Sequence, residues 1–156
     1  MMFAAPGQAA LVTQERKSRA LFASRQPGKA SQPAIDQLEA WFQSLDRRLR
    51  RTITFDNGTE FARHQVLTDE LGIRTFFCAP YSPWQKGSVE NAIGRLRRRL
   101  PRKTNLDTID DRTFEACIAA YNNTPRKCLA YRSPAEVLLD KLLHFKCEST
   151  PSLRSG

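Results

Sequence analysis

The chain has 156 residues, enough for one domain with a real core and too few for two ordinary ones. Hydrophobic residues make up 40% and charged residues 26%, which excludes a disordered chain, and no run nears the roughly 18 to 20 apolar residues of a membrane span. Lys and Arg total 25 against 16 Asp and Glu, and the net charge of +9 points to a polyanionic partner, most often nucleic acid.

Ala10-Leu11-Val12-Thr13 predicts a short strand. Arg19 to Ser24 predicts a second, with the polar stretch Gln14 to Ser18 as the turn between them. Pro27, Gly28, Ser31 and Pro33 mark a loop and a helix start. Ile35, Leu38, Trp41, Phe42 and Leu45 recur three and four apart, the spacing of an amphipathic helix. A basic connection, Arg47 to Arg51, leads to a third strand, Thr52 to Phe55, stopped by Asp56-Asn57-Gly58. A helix is expected from Thr59 to Leu71, ended by a left-handed Gly72.

Ile73 to Cys78 predicts a fourth strand, and Ala79 to Gly87, with two prolines, a loop. The next helix carries Val89, Ile93, Leu96 and Leu100 on one stripe, with Ser88 as its expected cap and Pro101 as its end. Helices follow from Asp110 to Asn122 and from Ser133-Pro134 to Leu142. This order of elements suggests an α/β domain with a mixed sheet and a helical C-terminal end.

Cys78, Cys117, Cys128 and Cys147 contain no CxxC pair. With no basic and apolar leader at the start, they are expected to be reduced thiols. A zinc site from Cys128, His144 and Cys147 is the alternative, although structural ligands are usually spaced more tightly.

Asp56 follows a strand, and Glu90 sits in the first turn of a later helix. Such positions can converge above the edge of an α/β sheet. Two carboxylates there suit Mg²⁺, which takes oxygen ligands. The plain alternatives are a turn or cap aspartate and a glutamate favoured by the helix dipole. Arg95, Arg97, Arg98, Arg99, Arg102 and Lys103 then place six positive charges in nine positions. Such a row can hold a nucleic-acid backbone. Tyr81 and Trp84 in the preceding loop either stack on an unpaired base or pin the loop to the core.

Three stretches carry a family pattern: TITFDNGTEFARH, FFCAPYSPWQKGSVENAIGRLRRRLPRKT and AYNNTPRKCLAYRSPAEVL. From about Gly7 to Val137 the chain resembles the catalytic core of an IS30-type insertion-sequence transposase, and more broadly the retroviral-integrase core with its ribonuclease-H-like fold. The resemblance implies a three-carboxylate Asp-Asp-Glu site. Asp56 matches the second Asp and Glu90 the Glu. Asn57, Gly58 and Glu60 fall on the motif around the former, and Pro83, Gln85, Gly87 and Asn91 on the motif around the latter.

The implied chemistry is DNA strand cleavage and transfer with Mg²⁺ or Mn²⁺, two ions in an intact site. The implied partners are insertion-element ends, target DNA and further transposase subunits, in the bacterial cytoplasm at the nucleoid. Residues 1–35 contain no Asp, so the sequence is expected to be either a truncated copy or one whose start was assigned too late, with its first strand largely missing and the first catalytic Asp absent. The expected division is a partial catalytic core over residues 1–143 and a flexible tail over 144–156. Two alternatives stand beside the transposase reading. One is a non-catalytic DNA-binding or subunit-interfering remnant. The other, resting on fold analogy, is a nuclease on RNA–DNA hybrids.

Overall fold

The computed structural model describes residues 2–3, 8–27, 30–101 and 104–148. Along them run β1 (Met2–Phe3), β2 (Ala9–Gln14), β3 (Leu21–Gln26), α1 (Ser31–Gln43), β4 (Thr52–Phe55), α2 (Gln65–Leu71), β5 (Arg74–Phe77), α3 (Gly87–Leu96), α4 (Asp111–Asn122) and α5 (Pro134–Glu148).

β2 organises the core because Ala9 to Val12 carries no polar side chain and is buried throughout. Alternate residues of a strand face opposite sides. Ala10 and Val12 pack with Leu21, Ala92, Leu96, Leu100, Leu106, Phe114 and Tyr121. Leu11 packs the other way, with Ala34, Ile35, Leu38, Phe55, Phe61 and Leu67. So α3 and α4 cover one face, and α1 and α2 cover the other. β1, β2 and β3 pair antiparallel, whereas β4 and β5 pair parallel with Phe55 opposite Phe77. The expected mixed α/β architecture with a helical C-terminal end is therefore present.

The β2–β3 turn is built on Glu15. Its carboxylate accepts from the backbone N–H of Lys17 (3.0 Å) and of Ser18 (2.5 Å), from the Ser18 hydroxyl (2.6 Å) and from Lys141 Nζ on α5 (2.9 Å). Burial alone would raise its pKa, but these bonds outweigh it and hold the carboxyl at about 2, against an ordinary 4.5. A depressed carboxylate stabilises the fold fully above about pH 4.5, and that share is lost as the pH falls toward 2. Glu15→Gln is expected to lower the urea midpoint at neutral pH and to converge with the parent near pH 2. A difference that stays constant across that range contradicts this account.

Several expectations are corrected. The single helix from Thr59 to Leu71 is a 3-10 turn, Thr59–Phe61, followed by the shorter α2. Packing of Phe61 against Phe55 explains the break: their rings stack at 4.5 Å, and both are buried. The second strand starts later because Arg19 turns the chain at φ +62. α3 stops at Leu96 rather than Leu100, although Leu100 still reaches the core. α5 continues past Leu142 to Glu148. Its start is a capping box: the Ser133 N–H donates to Glu136 Oε2 (2.6 Å), and the Glu136 N–H donates to Ser133 Oγ (3.3 Å). Gly72 does end α2 in the left-handed region, at φ +66.

Candidate active site

Asp56 is placed by the strand before it. Phe55 is buried against Phe61 and lies beside Phe77 (5.7 Å between centroids), so β4 ends at a fixed point. His64 meets the edge of Phe77 at 4.7 Å and completes the apolar floor. Asp56, the next residue after β4, is half-buried, and its Oδ1 is shielded from solvent with no hydrogen-bond partner. Asn57 secures the next step, its Nδ2 donating to the Cys78 carbonyl at 3.1 Å. Cys78 N–H in turn donates to Phe55 O at 2.9 Å, so the ends of β4 and β5 are held together.

From there the chain returns toward α3. Ala79 N–H donates to Gln85 Oε1 at 2.8 Å, closing the loop ahead of the helix. Pro83, Trp84 and Gln85 form a 3-10 turn. Tyr81 is fully exposed and Trp84 is 74% exposed, so neither pins the loop to the core. Glu90 is exposed in the first turn of α3. The expected Ser88 cap is not used: the helix starts at Gly87, one residue before Ser88. Ser88 Oγ instead donates to Gln14 Oε1 (2.5 Å) and accepts from Arg19 Nη1 (2.6 Å), which ties α3 to the β2–β3 turn.

Two of the expected carboxylates therefore stand at the end of β4 and the start of α3, linked through Asn57, Cys78, Ala79 and Gln85. Among the described residues no three His, Cys, Asp or Glu side chains gather as a metal-binding group. The Cys128, His144 and Cys147 alternative gains no support: Cys128 is an exposed free thiol, and the Cys147 side chain lies outside the described residues. The shielded Oδ1 of Asp56 has no hydrogen-bond donor, which leaves it open to a cation. The donor set fits a hard divalent ion.

The basic row divides around the helix. At about 3.6 residues per turn, Arg97 shares the flank of Glu90, whereas Arg95 and Arg99 lie across the apolar stripe with Ser88. Asn91 supports that second flank by accepting from Arg95 Nε at 2.9 Å. Arg102 and Lys103 lie outside the described residues, as does the Glu60 side chain. A Cβ at Gly87 would meet nothing within 4 Å, so crowding does not explain that glycine.

Sequence reasoning missed two residues. Asn122 closes β3, its Oδ1 accepting from Leu21 N–H (2.8 Å) and its Nδ2 donating to Leu21 O (2.9 Å). Arg126, four residues on, is buried beneath a tight turn. The N-x-x-P-R pattern spanning both was the available signal.

The chain is similar to several insertion-sequence transposases. The chain is 40% identical to the transposase for insertion sequence element IS1086 of Cupriavidus metallidurans, over 82% of this chain and 38% of that protein. It is 39% identical to transposase InsI for insertion sequence element IS30A of Escherichia coli, over 80% of this chain and 32% of that one. The transposase for insertion sequence element IS4351 of Bacteroides fragilis is 31% identical over 82% of this chain and 39% of its own length. The chain thus spans about two fifths or less of these relatives. No protein-family model matches. The crystal structure of the catalytic core domain of BIV integrase superposes with a TM-score of 0.69, covering 92% of each chain at 23% identity. Over four fifths of its length the chain is therefore similar to the transposases of insertion sequences IS1086 and IS30A, and its fold is that of the BIV integrase catalytic core domain.

Proposed function

We propose that this chain is catalytic-core sequence of a DNA transposase, in which Asp56 and Glu90 hold Mg²⁺ or Mn²⁺ against a DNA phosphodiester. The observation that carries the reading is the shielded Asp56 Oδ1, left without a donor at the end of β4. A divalent ion at such a site supplies the charge that activates an attacking oxygen and stabilises a leaving one. The chain's own residues bind and orient. Asp56, on a strand end fixed by Phe55 and Asn57, is the rigid ligand. Glu90, exposed on α3, is the adjustable one. Arg97 on the flank of Glu90 sits where a bound backbone needs a counter-charge. Tyr81 and Trp84 present open ring faces on which an unpaired base can stack.

The proposed partners are element ends, target DNA and transposase subunits of the same type, at the bacterial nucleoid. Among the described residues no helix is long and apolar enough to cross a membrane. A second reading, DNA binding or subunit interference without catalysis, is favoured by the second basic flank of α3, which stands apart from Glu90. Equilibrium Mn²⁺ binding separates the two. Loss of a ligand is expected to weaken affinity by ~10-fold or more in Glu90→Gln and in Asp56→Asn. Unchanged affinity in both variants would sink the site.

A further inference from the structure

We propose that Arg95, Arg98, Arg99 and Arg126 form a seat for one backbone phosphodiester of DNA, across α3 from the carboxylates. The inference rests on the DNA reading above and adds a contact that the carboxylates do not need. These four arginines, with Tyr121 and Thr124, line a concavity of about 330 Å³ between the end of α3 and the turn after α4. No carboxylate lines it, and among the described residues no acidic side chain forms a salt bridge with any of the four.

Arg126 makes the site a built one. It is 8% exposed, its Nη2 donates to the Tyr121 carbonyl at 3.1 Å, and its guanidinium lies over the Tyr121 ring at 4.4 Å. The turn that carries it is closed on both sides: Arg126 N–H donates to Arg132 O (3.0 Å), and Arg126 O accepts from Leu129 and Tyr131 N–H (2.9 Å each). Ala130 and Tyr131 take left-handed backbone, at φ +53 and +62, to complete it. A cation so fixed loses little freedom when an anion arrives. Burial lowers the Arg126 pKa, Tyr121 acts against it and the charge of Arg95 adds to it; a phosphate oxygen beside the guanidinium offsets these costs by favouring the charged form. Arg95 is held by Asn91, while Arg98 and Arg99 are exposed and can close on the remaining oxygens. Planar guanidinium groups suit that bidentate recognition.

Fluorescence anisotropy of a labelled DNA duplex across a salt series tests the seat. Each neutralised phosphate adds about 0.9 to the slope of log K against log salt. Arg95→Gln with Arg99→Gln is expected to reduce that slope by about 1. Both positions are exposed, so the double variant should fold. Arg126→Gln, checked for folding by circular dichroism, is expected to do the same. Arg112→Gln removes the same single charge as Arg126→Gln, from the opposite end of α4, and should leave the slope unchanged. An unaltered slope in the double variant, or an equal loss in Arg112→Gln, overturns the seat while leaving the DNA reading intact. Competition by inorganic phosphate without any slope change marks a free-anion pocket and also overturns it. Absence of DNA binding by the parent protein overturns both the seat and the reading beneath it.

Discussion

Asp56→Asn is expected to stabilise the metal-free protein by about 1 kcal/mol, or about 3 °C in thermal midpoint, while removing most of its divalent-cation affinity. The two effects share one cause. Asp56 Oδ1 is shielded from water and accepts no hydrogen bond, and the neighbouring Asn57 amide is spent on the Cys78 carbonyl. A shielded carboxylate oxygen without a donor is costly, and a neutral amide of the same shape costs less. A cation offsets that cost only in the parent. Thermal unfolding with and without Mn²⁺ checks both halves. The parent midpoint should rise with Mn²⁺, and the variant should start higher and stay flat. A variant that melts below the metal-free parent would show that Asp56 serves the fold rather than a ligand.

Leu96→Ala has the larger effect on stability. Leu96 is fully buried and packs between α3, α4 and the Ala10 and Val12 side of β2. Truncation of such a leucine costs about 2–5 kcal/mol, a large part of a domain's total. Because α3 carries both Glu90 and Arg95, partial loss of this packing should loosen the two flanks together. Urea unfolding measures it, and a loss below about 1 kcal/mol would mean that α3 is not anchored where the core places it.

Much of this was legible from residue order alone. The strand read at Ala10 to Thr13 and the spacing of Ile35, Leu38, Leu96 and Leu100 identify core positions because burial follows periodicity, although the buried run begins one residue earlier, at Ala9. Asp56 and Glu90 fall at a strand end and a helix start, as their neighbours indicate. What was illegible depended on tertiary contacts. Ser88 resembles a cap in one dimension, but Gln14 and Arg19, 74 and 69 residues away in sequence, claim its hydroxyl. The Phe55–Phe61 stack, which shortens α2, joins two elements that local propensity treats separately. Asn122 pairs with a backbone 101 residues away. Arg126 looks like one more surface cation until the turn from 126 to 132 buries it under Tyr121. The row of arginines appears continuous in sequence, and only helical rotation separates Arg97 from Arg95 and Arg99.

The central claim is that Asp56 and Glu90 serve one ion, and a double-mutant cycle on Mn²⁺ affinity tests it most directly. Residues that share a ligand couple, and independent residues add. Titration of the parent, Asp56→Asn, Glu90→Gln and the double variant should show the double variant losing no more than the weaker-binding single. Losses that add across the two positions would place the carboxylates in separate sites and contradict the account.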